Sequence, residues 1–207
     1  YKVRGATNLI GLLTEEERAK GVICSSAGNH SQGVAIAAQQ YGIQAVVCMA
    51  TNATPSKIEA TKGYGAEVVL HGSIWDEANE KALELVKERG LTYIHPFDDP
   101  RLIAGQGTTG LEIIEDWPEA EIILVPIGGG GLISGVSMAV KSVKPNVRVI
   151  GIESSGAPAM KKSVEAGHLI TLDDVSSIID GLRVKTVGVN THSVVSRFVD
   201  EIVTLSD

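Results

Sequence analysis

Short aliphatic runs recur along the chain, separated by longer stretches of mixed polarity: VIC at 22–24, AVVCM at 45–49, EVVL at 67–70, IILVPI at 122–127 and VRVIGI at 147–152. Runs this brief and this continuous suit strands buried on both faces of a parallel sheet, not half-exposed strands, which would alternate. Between them, residues 76–88 set Ala78, Ala82, Leu85 and Val86 on one face, with Glu, Lys and Asn on the other. That spacing predicts a helix. EIVTL, close to the end of the chain, reads as one more strand. Strand, helix and strand in repetition predict an α/β fold, doubly wound with mostly parallel sheets and helices on both faces. In such folds ligands gather at the carboxyl ends of the strands.

Composition narrows the classes. A chain of 207 residues with 43% hydrophobic and 21% charged positions buries a core and is not disordered. A formal charge of −7 argues against a nucleic-acid groove, which needs clustered Lys and Arg, and favours a small-molecule substrate. Cys24 and Cys48 sit inside apolar runs and read as buried thiols in a reducing compartment. Neither a signal peptide nor a bilayer-length apolar run is apparent, so the expectation is a cytoplasmic protein without membrane association. The chain opens at Tyr1 without a methionine, directly on a charged motif, and reads as an excerpt truncated at both ends.

Three segments could carry chemistry. SSAGNHSQG at 25–33 follows a strand and precedes an Ala-rich helical run, so its small residues and the helix N-terminus would welcome an anion. The plainer alternative is that Ser26 or Asn29 caps the helix and His30 lies on the surface. VPIGGGGLISG at 125–135 sets four glycines between a buried strand and a helix starting near Leu132, where bare backbone can present several N–H donors to a phosphate. It is neither a nucleoside-triphosphate loop nor a dinucleotide fingerprint, and a flexible linker is the competing reading. YKVRGA at the start holds Lys2 and Arg4, which alone would be solvated surface charges.

In this order, KVRGA, SAGNHSQGVA, PSKIEATKGYGAEVVLHG, DDPRLIAGQGTTGLEI, VPIGGGGLISG and IIDGLRV resemble the fold-type II pyridoxal-phosphate enzymes, and among them most the threonine and serine dehydratases. The resemblance covers essentially the whole chain. It implies pyridoxal 5'-phosphate as cofactor, held as a Schiff base by Lys2, whose freed amine then takes the substrate Cα proton. It implies that Asn29 bonds the cofactor's ring oxygen, that Ser26, Ala27, Gly28, Asn29 and His30 receive the substrate carboxylate, and that Gly128, Gly129, Gly130, Gly131 and Leu132 form the phosphate cup. The implied reaction is β-elimination of water from L-threonine or L-serine, giving 2-oxobutanoate or pyruvate and ammonia. It further implies a large cofactor-binding domain of residues 1–12 and 100–207 and a mainly small domain of 13–99. A homo-oligomer is expected on separate grounds, since symmetric homo-oligomers are the common outcome for soluble enzymes.

Two relatives set limits. Similar serine racemases carry a serine where Ala27 stands, so elimination is expected to outrun racemisation. They also hold a divalent metal near the segment matching 153–159; Glu153 is present, but Ala159 replaces a carboxylate, so no metal site is expected. His71, His95, His168 and His192 receive no role. The other readings are a racemase or another β-replacing enzyme on the same cofactor and, from a different class, a non-catalytic module binding a phosphorylated ligand.

Overall fold

In the computed structural model, which describes residues 1–207, the aliphatic runs are strands and the chain divides into two units, Lys2–Pro96 and Phe97–Asp207 with Tyr1. The first unit comprises α1 (Lys2–Gly11), α2 (Glu15–Lys20), β1 (Val22–Ser25), α3 (Asn29–Tyr41), β2 (Ala45–Met49), α4 (Pro55–Gly63), β3 (Glu67–Leu70), α5 (Trp75–Arg89) and β4 (Thr92–Tyr93). Its sheet runs β3-β2-β1-β4 with every pair parallel. The chain therefore steps outward from β1 to β3, and α5 then carries it back to the far side of β1. The strand order reverses between β1 and β4, the position where sheets of this kind leave a crevice beyond their carboxyl ends.

Burial assigns the layers. Ile23, Val46 and Cys48 form one cluster with Ala78, Ala82 and Leu85 of α5. The alternate strand residues Val22, Cys24 and Val47 are equally buried and face the other way, toward α3. Helices thus cover both sides, which is why these strands read as unbroken apolar runs. β4 escaped the sequence pattern because two residues are too few to show a period. Helix α1 buries Ala6, Leu9 and Ile10, and each fully buried Leu or Ile side chain contributes about 1.5–3 kcal/mol. Gly33 lets α1 lie directly on α3, because a Cβ there would stand 3.1 Å from Lys2 C and Val3 N. Residues 1–12 were expected with 100–207; α1 packs instead within the first unit, since its apolar stripe finds α3.

The second unit comprises α6 (Pro100–Asp116), β5 (Ile122–Pro126), α7 (Gly131–Val143), β6 (Arg148–Ser154), α8 (Ala159–Ala166), a single 3₁₀ turn at Asp180–Leu182, α9 (Val189–Phe198) and β7 (Glu201–Leu205). Its sheet is parallel in the order β5-β6-β7. Ile123, Val125, Ile127 and Val149 join Ile133, Val136 and Val140 of α7 in one core, whereas Ile122 and Leu124, pointing the other way, are exposed. Helices α6 and α7 cross through glycines: a Cβ on Gly135 would meet Ile103 O at 2.4 Å and Gly107 N at 2.5 Å. Backbone touches backbone there, so only hydrogen fits.

Candidate active site

The first loop leaves β1 at its carboxyl end. Ser26 N donates to Cys48 O at 3.2 Å, Ser26 Oγ accepts from Gly28 N at 3.2 Å, and Ser31 Oγ donates to Gly28 O at 2.6 Å. Gly28 is the N-cap of α3 and no side chain caps the helix, so the leading amides stay available and neither Ser26 nor Asn29 serves as the cap. The Asn29 side chain is exposed.

His30 is not a surface residue. It is 3% exposed, and its Nε2 lies 2.9 Å from Ile94 O, just beyond β4. A carbonyl oxygen can only accept, so Nε2 carries the hydrogen and Nδ1 is a bare acceptor, buried without a partner in the chain. Burial, reinforced by the nearby charge of Lys2, pushes its pKa down to about 3 and keeps the ring neutral.

Two residues further on, Pro96 O accepts a hydrogen bond from Lys2 Nζ. Burial strips water from this amine and lowers its pKa to about 8, which enlarges the neutral, nucleophilic fraction at physiological pH. Lys2, His30 and the loop 26–30 therefore meet along the backbone segment 94–96. Sequence reasoning missed that segment because carbonyl groups carry no side-chain signature. It also missed Trp75, whose Nε1 donates to Ser25 O at 3.1 Å and pins the exit of β1.

The second loop is the tetraglycine turn after β5. Ile127 N still donates to Ile152 O at 2.8 Å, then the chain turns through Gly130 at φ +91° and α7 begins with no side-chain cap. Packing within the protein crowds three of the glycines. A Cβ on Gly129 would stand 2.2 Å from Phe97 Cδ1, one on Gly131 3.0 Å from Phe97 Cβ, and one on Gly128 3.1 Å from Gly181 O. Gly130 needs its left-handed backbone. What the turn offers outward is the uncapped N-terminus of α7, a set of N–H donors carrying partial positive charge.

Beyond its own geometry, the whole of the chain, residues 1–207, matches the family described as pyridoxal-phosphate dependent enzyme. The chain belongs to that family. It is 49% identical over all its length to an L-threonine ammonia-lyase of Thermotoga maritima, of which it spans 52%. Among solved structures it is similar to the processed form of threonine deaminase isoform 2 from Solanum lycopersicum, with a TM-score of 0.97 and 43% identity, covering 99% of this chain and 60% of that one. Maize serine racemase gives a TM-score of 0.95 at 40% identity, covering 100% of this chain and 62% of that one. The chain spans about half the length of the curated relatives it matches.

The cofactor's chemistry fits the groups present. An aldehyde needs a neutral amine, and Lys2 is a lysine whose burial supplies one; a phosphate needs clustered donors, and the capless start of α7 provides them. Away from these two loops, Glu153, His168 and His192 each have partners within the chain. The carboxylate of Glu153, 1% exposed, accepts from Met160 N and Lys161 N, each at 2.8 Å, at the start of α8. Burial nonetheless raises its pKa to about 7. Ala159 opens that helix. His168 Nδ1 lies 3.0 Å from Ala166 O and His192 Nε2 lies 3.1 Å from Ser163 O.

Proposed function

We propose that the complete protein eliminates water from L-threonine or L-serine with pyridoxal 5'-phosphate, Lys2 holding the cofactor's aldehyde and Gly128, Gly129, Gly130, Gly131 and Leu132 its phosphate. The observation that carries this reading is the Lys2 amine, dehydrated and with a lowered pKa, seated on Pro96 O beside the loop 26–30. The relatives named for threonine ammonia-lyase and threonine deaminase activity support it. When bound, the cofactor supplies an electron sink that makes the Cα–H bond of an amino acid acidic.

The chain's own groups take the remaining tasks. The Lys2 amine, displaced by the substrate's amine, takes the Cα proton. The loop of Ser26, Ala27, Gly28, Asn29 and His30 binds the carboxylate through those backbone amides not already given to Cys48 O and Ser26 Oγ, and the side-chain amide of Asn29 orients the ring through its oxygen. Neutral His30 adds no positive charge that would hold Lys2 protonated less tightly or the carboxylate more tightly, so its part is to fix the loop on Ile94 O. Loss of the β-hydroxyl as water, followed by hydrolysis of the released imine, gives 2-oxobutanoate and ammonia from threonine, or pyruvate and ammonia from serine. Racemisation is the second reading, favoured by the similarity to maize serine racemase. It lacks a proton carrier at Ala27. The protein is further proposed to be cytoplasmic and homo-oligomeric; no helix is long and apolar enough to cross a membrane.

Borohydride reduction of the full-length protein with pyridoxal phosphate, followed by peptide mass analysis, tests the assignment. The label is expected on Lys2, and threonine should yield 2-oxobutanoate while recovered serine keeps its chirality. A label on any other lysine overturns the reading.

A further inference from the structure

The tetraglycine turn is tethered from a helix that begins some sixty residues later. Thr191, 0% exposed in the first turn of α9, donates its Oγ1–H toward Gly129 O at 2.8 Å, with Gly188 O a second acceptor at 3.2 Å. The same oxygen accepts from Gly188 N at 3.1 Å. Thr191 is itself anchored: Asp98 Oδ1 accepts from Thr191 N at 3.0 Å and Asp98 Oδ2 from Val189 N at 3.1 Å. One carboxylate thus closes the start of α9. The fit leaves no slack, since a Cβ on Gly188 would stand 2.1 Å from Asp98 Cγ and one on Gly130 2.9 Å from Thr191 Cβ.

We infer that Thr191, held by Asp98, is a positioning residue for anion binding at the tetraglycine turn, selecting which way the Gly129–Gly130 peptide faces. A trans peptide is planar, with its N–H directed opposite to its C=O. Fixing the Gly129 carbonyl on Thr191 therefore aims the Gly130 N–H away from α9. Glycines on both sides of this peptide would otherwise let it rotate at little steric cost, so four bare residues need an external tether to present a constant donor pattern. The side chain acts through the backbone and touches no ligand itself.

This inference rests on the proposed phosphate role of the turn, and the experiment separates the two. Binding of pyridoxal phosphate and of pyridoxal, which lacks the phosphate, is titrated by absorbance on the full-length protein carrying Thr191→Val, which keeps the shape but not the donor, or Thr191→Ser, which keeps the donor. Thr191→Val is expected to weaken pyridoxal phosphate binding by about tenfold, the scale of one net hydrogen bond, and to leave pyridoxal binding unchanged. Thr191→Ser should recover most of the loss. Undiminished pyridoxal phosphate affinity in Thr191→Val, equal losses for both ligands, or no recovery with Ser overturns the inference while the phosphate reading stands. If the unsubstituted protein binds pyridoxal as tightly as pyridoxal phosphate, the phosphate reading fails and this inference with it. Should Thr191→Val not fold, Asp98→Asn is expected to give a phosphate-selective loss of smaller size, and wild-type affinity there refutes the tether.

Discussion

Adding one methyl group at Gly129 isolates the packing of the tetraglycine turn against Phe97. The new Cβ would lie 2.2, 2.3 and 2.5 Å from Cδ1, Cγ and Cε1 of the ring. Non-bonded carbons rest about 3.5–4.0 Å apart, so more than 1 Å of separation has to be recovered by moving the ring or the turn. Gly129 is not among the positive-φ glycines, so alanine brings no backbone penalty and the cost is steric. Overpacking of this kind costs about 1–3 kcal/mol. For a chain of 207 residues, 1 kcal/mol moves the midpoint by about 2–4 °C, so Gly129→Ala should lower Tm by about 2–12 °C in circular-dichroism melts. Phe97→Leu removes the ring, and the double variant should recover at least about 1 kcal/mol relative to additivity. Gly63→Ala serves as the control: exposed in α4, with nothing near the added carbon, it should be neutral or stabilise by up to about 1 kcal/mol. An unaltered Tm in Gly129→Ala, or strict additivity with Phe97→Leu, would refute the steric account.

Two further outcomes follow from the geometry. Gly135→Ala sets a methyl against the Ile103 carbonyl and the Gly107 amide, backbone atoms that cannot rotate aside, and should cost at least about 3 kcal/mol in urea unfolding; a loss under about 1 kcal/mol would mean that α6 and α7 do not touch there. Lys2→Met should stabilise the chain at pH 7: the folded-state pKa is lowered from 10.5 to about 8, so below about pH 8 folding must bury a charge, and that penalty fades as pH rises toward 10.5. Melting temperatures of both proteins across pH 7 to 10.5 should converge, and a pH-independent difference would remove burial of the charge as the cause.

The fold was legible wherever a strand was long and two-sided in its burial. The run at 45–49 coincides with β2, buried at every position, whereas 67–70 coincides with β3, an edge strand that is only partly buried, so there apolar continuity marks the strand but overstates its burial. The helix expected over 76–88 extends by one residue at each end, Trp75–Arg89. What stayed hidden depends on partners distant in sequence. The loop pattern by itself leaves a surface position open for His30, because nothing near it discloses the Ile94 carbonyl, 64 residues away, that draws it inside. The bareness of the glycines at 128–131 points to a phosphate, but nothing local discloses that it also admits Phe97 beside two of them. Asp98 and Thr191 are 93 residues apart, and no local spacing announces their pairing.

The placement of the two cysteines has a practical outcome. Cys24 pairs in register with Val47, and Cys48 with Ser25, on neighbouring strands, so the two sulfurs project from opposite sides of the first sheet and cannot join without unravelling it. Burial raises both thiol pKa values, that of Cys48 to about 11, so little thiolate is available to alkylating reagents while the sheet is closed. Every cysteine of the chain lies in Lys2–Pro96. Timed alkylation therefore acts as a clock for opening of that half alone, with the other half silent, and the order in which the two sulfurs become labelled tells which helical layer lifts first.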